Sequence, residues 1–384
     1  MAIRILITDR NLNIVGDPLD QWTNLDVTTR FNEPASGSVT LPAWSGIVDQ
    51  LQPGRRLVVV RDGQVWAEGP LEVPQDYAWG METEGGPGRV TVNFTDDLAI
   101  IAGYLTWPIP AVAWSAQTNA KRNLVATSAE TIIRTLVNEN CGPGAQVARR
   151  IPNLVLDTAA GIGSTISATT RLEPLLEACR RVAVWGGGLG FRTRVEGGQI
   201  LFGCYATADK TSTARFSAGL GNLRSVQYKM SAPTVTHALV QGPEVEAPAS
   251  RVFVERSNPM SAAAWWRVEQ LVDGPAENDT NGELTAAGNE AVSAGSAPVE
   301  LATVTVDIED LQAGRDFDLG DRVTIELPTG LEVVDRVLAI HLQATPDSGE
   351  YVTTLVGSPE ATSDPGMVRL VRELGRRLGR IEAR

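Results

Sequence analysis

Only two histidines occur among the 384 residues, so any acid–base chemistry has to begin with them. His237 in "TVTHALV" shares a strand face with Val235 and Leu239, whereas His341 in "LAIHLQA" faces away from Ile340 and Leu342. Packing and a solvated strand face account for both without catalysis. No Ser-centred elbow, HExxH or Walker sequence is present. Cys141, Cys179 and Cys204 form no CxxC and leave an odd count, which suggests buried free thiols rather than a zinc knuckle or a disulfide framework. The glycines between 186 and 190 in "WGGGLGF" could cradle a phosphate only with a helix directly after them. "FRTRVEGGQILF" reads instead as strand, so a hairpin is expected. Asp316, Asp318 and Asp321 could offer oxygens to calcium but lack the EF-hand order, and a solvated turn is the simpler reading. Trp265 and Trp266, if neighbours on a strand, would point to opposite faces, leaving at most one for an exposed sugar platform. No catalytic residue, metal or cofactor is expected.

These residues are carried mainly on strands. From residue 1 to about 105, β-branched and aromatic residues alternate or cluster between Gly, Pro, Asn and Asp, and Asp62-Gly63 predicts a two-residue hairpin turn. Between about 111 and 230, "TSAETIIRTLVNEN" and "TRLEPLLEACRRVAVW" predict amphipathic helices, opened by the capping boxes Thr127/Glu130 and Thr170/Glu173. Strands dominate again from 231 to about 357, interrupted by a helix with the box Thr280/Glu283. Asp364-Pro365 opens a last helix, in which Met367, Val371, Leu374, Leu378 and Ile381 make a short heptad seam.

The formal charge is −13, which argues against a surface built to hold nucleic acid. The last 18 residues carry six Arg and two Glu, net +4, leaving −17 elsewhere. The N-terminus meets Asp9 too early for a signal peptide and no run of about 18 apolar residues occurs, so no membrane insertion by this chain is expected.

One element recurs. Pro53-Gly54-Arg55-Arg56-Leu57-Val58-Val59 lines up with Leu319-Gly320-Asp321-Arg322-Val323-Thr324-Ile325, each followed by a turn and a second apolar strand. Two similar barrels in one chain would let three copies form a ring of six similar units. The expected architecture is mainly β with an α/β insertion. Its parts are a tube-type β-barrel domain at 1–110, which strands from 213–240 could complete, an α/β module at 111–230, a second barrel at 231–360, and a basic helix at 361–384.

The segments "RVFVERSNPMSAAAWWRVEQLVD", "ELTAAGNEAV", "GRDFDLGDRVTIEL" and "TTLVGSPEA" resemble the minor tail proteins, or tail-tip (baseplate) hubs, of long-tailed phages that infect actinobacteria. The resemblance implies a non-enzymatic homotrimer at the virion tail tip, assembled in the host cytoplasm. Its implied partners are the distal tail protein, the tape-measure protein and other tail-tip proteins or fibres, with genomic DNA only in transit. An acidic conduit fits, since three copies at −13 carry −39. A carbohydrate- or cell-surface-binding tail module is the main rival, with a cell-wall hydrolase behind it.

The terminal helix cannot hold a trimer by itself, because its seam is close to the lower limit of about 12–15 residues at which isolated helices are marginal, and Gly375 and Gly379 weaken it by ~1 kcal/mol each. Leu374→Asp combined with Leu378→Asp is expected to weaken the trimer in light scattering while leaving the circular dichroism of the fold unchanged.

Overall fold

Apolar alternation in the first hundred residues becomes six strands: β1 (Ile3–Thr8), β2 (Asn24–Arg30), β3 (Glu33–Pro42), β4 (Arg56–Arg61), β5 (Gln64–Ala78) and β6 (Arg89–Thr95), with a short α1 (Ser45–Val48) before β4. The structure, a computed structural model, describes residues 3–80, 86, 88–246, 249–276, 278–296, 299–347 and 349–357. The heptad residues Met367, Val371, Leu374, Leu378 and Ile381 lie outside the described residues. Asp62 and Gly63 both take positive φ, 50° and 82°, as the tight turn between β4 and β5 demands.

The middle of the chain folds separately. It comprises α2 (Leu98–Ala102), β7 (Arg122–Ser128), α3 (Ala129–Asn140), β8 (Leu154–Leu156), β9 (Thr165–Thr170), α4 (Leu175–Trp185), β10 (Gly190–Glu196) and β11 (Gln199–Tyr205). Ile132, Ile133, Leu136 and Val137 of α3 pack against Leu175, Leu176, Cys179 and Val182 of α4 in one core. Next come β12 (Arg215–Ser217) and β13 (Leu223–Met230), then β14 (His237–Gln241), β15 (Val245–Glu246), β16 (Ala249–Ser250), β17 (Phe253–Ser257), α5 (Pro259–Ala264), β18 (Glu269–Asp273) and α6 (Glu283–Gly295). α6 covers one face of the sheet β17-β14-β18, burying Ala238, Val240 and Leu284 in a small core of its own. The last strands are β19 (Val299–Val306), β20 (Arg322–Glu326), β21 (Glu332–Thr345) and β22 (Gly349–Val356).

Two closed barrels are not what these strands make. Twelve of them form one sheet in the order β1-β4-β5-β6-β3-β2-β21-β22-β19-β13, with β20 and β12 branching from β21. Among the described residues no barrel closes, because β2 spends its second edge on β21, pairing Leu25–Arg30 with Ala344–Ala339, rather than returning to β1. β12 and β13 pair with β20 and β19, not with the N-terminal strands that they could have completed. The limit placed at 230/231 therefore cuts through a set of paired strands. Both halves share one core, in which Ile5, Leu25, Leu41, Leu57, Phe94, Val323, Ile325 and Leu342 are buried. Each such apolar side chain contributes roughly 1.5–3 kcal/mol.

The three expected capping boxes are replaced by other caps. Ser128, not Thr127, opens α3 by accepting the Thr131 N–H at 3.2 Å, while Pro174 and Gly282 precede α4 and α6 without a side-chain cap. The glutamates have left for tertiary partners. Glu130 accepts the Ala160 and Ile162 N–H groups at 2.9 Å, Glu173 pairs with Arg181, and Glu283 accepts from Thr169 N–H at 2.7 Å and its hydroxyl at 2.9 Å. Charge-assisted bonds in a dry interior are stronger than a solvated local cap, so the longer reach wins.

The two segments singled out as a repeat adopt the same turn. Arg55 N–H donates to Gln52 O at 3.1 Å and Asp321 N–H to Asp318 O at 3.2 Å, with Gly54 (φ 82°) and Gly320 (φ 87°) in the third position. Leu71 N–H then reaches Arg55 O, and Val337 N–H reaches Asp321 O. Arg56 and Arg322 each open the following strand, but their surroundings differ. Arg56 is buried in a bidentate pair with Asp97, one arm at 2.8 Å, whereas Arg322 is half exposed and 3.8 Å from Asp209. Beside the buried pair, Asp96 is pushed up to about 7, first by burial and also by the Asp97 charge. Glu68 is raised as well, chiefly by burial.

Three outcomes follow for stability. A Cβ at Gly54 would make only ordinary contact with the Arg10 side chain, at 3.9 Å, so Gly54→Ala is expected to cost about 1 kcal/mol of backbone strain. At Gly320 a Cβ would meet the Phe31 ring at 2.3 Å, and Gly320→Ala is expected to cost about 2–4 kcal/mol in urea unfolding. Asp96 has a folded pKa above its ordinary 3.8, so its contribution is full in acid and is lost as pH rises through about 7. Asp96→Asn, which keeps an oxygen for Leu98 N–H, is expected to exceed the parent by on the order of 1–2 kcal/mol at pH 8 and by little at pH 4.

Candidate functional site

Strand alternation gives the large sheet two unlike faces. Val27, Val39, Val92 and Leu342 point into the core, and their sequence neighbours point the other way. On that second face Asn93, Ser38, Asp26, Gln343 and Tyr351 form one row across five strands, and Ser36, Thr28, His341 and Thr353 form the next. The rows are tied laterally. Asp26 accepts from His341 Nε2 at 3.0 Å and from Gln343 Nε2 at 3.1 Å, and the Thr40 and Thr91 hydroxyls lie 3.1 Å apart. Hydroxyls, amides and one carboxylate make a hydrated face with little positive charge near its middle.

The groups on this face are hydrogen-bond donors and acceptors. Among the described residues no hydroxyl is hydrogen-bonded to the His341 ring, and His237 Nδ1 lies 2.9 Å from Thr236 Oγ1 in a different sheet. Burial pushes the thiols of Cys141 and Cys204 up to about 12 and that of Cys179 well above its ordinary value, so all three stay protonated at neutral pH. No group of three or more His, Cys, Asp or Glu able to hold a metal ion occurs among the described residues.

The other residues singled out have structural partners. Asp321 accepts Ala208 and Asp318 N–H groups, Asp318 accepts Leu319 N–H, and Asp316 pairs with Arg315, so each carboxylate serves the turn. The glycine run ends α4 and leads into the β10–β11 hairpin, as its residues predict. A Cβ on Gly188 would lie 2.4 Å from the Arg336 guanidinium, which donates to Gly188 O at 3.1 Å, to Thr207 Oγ1 at 3.3 Å and to Gly320 O at 3.4 Å. Bare backbone there admits an arginine that fastens the α/β module to the sheet. Asn32 adds a second tie, donating to Leu189 O and accepting from Phe191 N–H, both at 2.8 Å.

Trp265 and Trp266 are not strand neighbours on opposite faces. They follow α5 and stack on each other with centroids 4.2 Å apart, and both are exposed. The chain turns at Trp265 (φ −122°, ψ −99°), which brings both indoles to one side. The polar face was not singled out from the residues, although "NLDVTTR" and "AIHLQAT" carry its signal as polar residues at every second position.

Among the described residues β13 pairs with β19, and the Glu72–Ala78 stretch of β5 pairs with β6. Large apolar side chains are exposed at both: Val73, Tyr77 and Trp79 by one, Met230 by the other.

The arrangement is shared with known tail proteins. A tail protein from Neisseria meningitidis MC58 aligns over 94% of this chain and 97% of its own, with TM-score 0.56 at 12% identity. The 43 kDa tail protein of prophage MuSo2 from Shewanella oneidensis covers 94% and 100%, with TM-score 0.58 at 11% identity. Prophage tail protein gp18 from Listeria monocytogenes covers 97% and 98%, with TM-score 0.51 at 11% identity. At these identities the likeness is one of fold. No curated protein sequence matches the chain. Residues 2–358 match the family model of the siphovirus ReqiPepy6 Gp37-like proteins, and the chain belongs to that family.

Proposed function

We propose that this chain is the hub subunit of a siphophage tail tip, or baseplate, in which three copies join the six-fold tail tube to a three-fold tip. The observation that carries the reading is an ordered repeat. The strands β5-β6-β3-β2 are followed across the sheet by β21-β22-β19-β13, each set led by the same glycine turn and the same short strand, β4 or β20. Two like units per chain and three chains supply six like units around one axis. The polar face of the sheet then lines the DNA conduit, where net negative charge keeps phosphates in transit from sticking.

In this reading the distal tail protein and the tape-measure protein are the neighbours, and other tail-tip proteins or fibres dock outside. Assembly takes place in the cytoplasm of an actinobacterial host and the function is structural, without catalysis. The terminal basic helix, with its seam from Met367 to Ile381, adds to the association. A second reading, a carbohydrate- or cell-surface-binding tail module, is favoured by the exposed Trp265–Trp266 stack and by Trp114 beside Trp107, whose ring lies 4.0 Å from the Arg149 guanidinium.

Light scattering on the purified full chain, with negative-stain imaging, tests the proposal. Three times the chain mass and a three-fold ring with an open centre are expected. A monomer at the highest attainable concentration sinks it, and binding to host-wall polysaccharide that Trp266→Ala abolishes would then put the second reading first.

A further inference from the structure

The loop after α2 and the single helical turn Val147–Arg149 bring aromatic rings and a guanidinium together on the α/β module. Arg149 lies 4.0 Å from the Trp107 ring and 5.7 Å from that of Tyr104, and Trp107 meets Trp114 at 5.5 Å with the two rings tilted by 49°. Trp114 is 57% exposed and belongs to none of the three apolar cores, so packing does not account for it. The loop is held in place by its own bonds. Gln117 accepts the Ile109 N–H at 3.0 Å and donates to Ile109 O at 2.8 Å and Val112 O at 3.0 Å, while Asn140 Oδ1 accepts the Trp107 N–H at 2.8 Å. Rings fixed in this way lose little freedom when a ligand arrives.

Arg149 stands apart from its neighbours in charge. Arg122, Arg134 and Arg181 of the same module each face a carboxylate, that of Glu139, Asp157 or Glu173. Among the described residues Arg149 has no such partner. It donates to Leu105 O at 2.7 Å and to Asn140 Oδ1 at 3.3 Å, which uses two of the five N–H groups of a guanidinium. Burial lowers its pKa, and the groups that act back on it are Cys141 and Tyr104, both neutral at pH 7. A half-buried cation without a counter-charge draws an anion more strongly than one in open water does.

We infer that this corner of the α/β module binds a saccharide that carries carboxylates, a uronic-acid glycan, with a sugar ring stacked on Trp114 and a carboxylate on Arg149. The negative face of an indole attracts the C–H groups of a pyranose ring, and the planar guanidinium fork suits a carboxylate. With Trp107 lying between Arg149 and Trp114, one disaccharide is long enough to touch both. A single nucleic-acid strand would also stack on indoles, but its many phosphates meet a chain of net charge −13. The inference does not depend on the hub reading. It gives the surface-binding reading a place and a ligand class, at a site separate from Trp265 and Trp266.

Isothermal titration calorimetry on the full chain, with hexagalacturonate and a hyaluronan hexamer as probes, tests the site. One or both acidic hexamers are expected to bind, and the methyl ester of a binding hexamer to bind about tenfold more weakly or worse. Trp114→Ala and Arg149→Gln are each expected to weaken binding by about tenfold or more with circular dichroism unchanged, while Trp266→Ala leaves it as it was. Should Arg149→Gln fail to fold, Trp114→Ala decides, since an exposed indole outside the cores is not needed for folding. Binding of neither hexamer at millimolar concentration overturns the inference, and so does a methyl ester that binds equally well. Binding that survives Trp114→Ala but is lost in Trp266→Ala moves the site to the other tryptophan pair and overturns it too. Light scattering reads the trimer separately, so the hub reading and this site can each fail without the other.

Discussion

A strand has two edges, and the way β2 uses its second one shapes the molecule. By pairing with β21 it joins residues 24–30 to 339–344, and the chain between them adds further strands to the same sheet and sends two modules out of it. Closing so long a loop is less costly than its length suggests, since the entropy grows only logarithmically, at about 0.6 kcal/mol per doubling. Burial of Leu25, Val27, Ile340 and Leu342 along the seam offsets it. The same pairing explains why neither half closes on itself: a strand already bonded on both sides has nothing left for a barrel.

The long strands β5 and β21 make the rest of the architecture possible. Each is paired along its first half with a short strand, β4 or β20, and along its second half with the strand that follows it, with register shifts between the halves. Bulges of this kind bend a strand, so one strand can serve two parts of a core. The two halves differ where their surroundings differ. Arg56 lies under α2 and needs Asp97 beside it in the dry interior, while the matching Arg322 stays partly in water. A buried guanidinium with a bidentate partner is costly to break, whereas the exposed one contributes little.

The inserted modules are held by directed polar bonds. Arg336 and Asn32 reach the backbone around the glycine run, and Val195 N–H donates to Glu68 at 2.6 Å. Three separate apolar cores joined by such ties make a scaffold in which each part packs independently and its placement depends on geometry. That suits a protein whose family is built into a virus particle.

Local structure was legible in the residues. Asp62-Gly63 specifies its turn through the positive φ that both positions need, "WGGGLGFRTRVEGGQILFGCY" is a hairpin, and the apolar spacing of "TIIRTLV" marks the buried side of α3. The recurrence of Gly54-Arg55-Arg56 as Gly320-Asp321-Arg322 was visible too, because a glycine in a left-handed position leaves a mark in the text. What tertiary structure alone decided was partnership. Alternation fixes which face of β2 is buried but says nothing about which strand meets its edge, since that bond is made by backbone groups that every residue carries. For the same reason the pairing of β2 with β21 could not be read off, and two barrels were expected. The capping glutamates misled in the opposite sense: Glu130, Glu173 and Glu283 have the local spacing of a cap, and only the folded interior supplies the distant donors that draw them away.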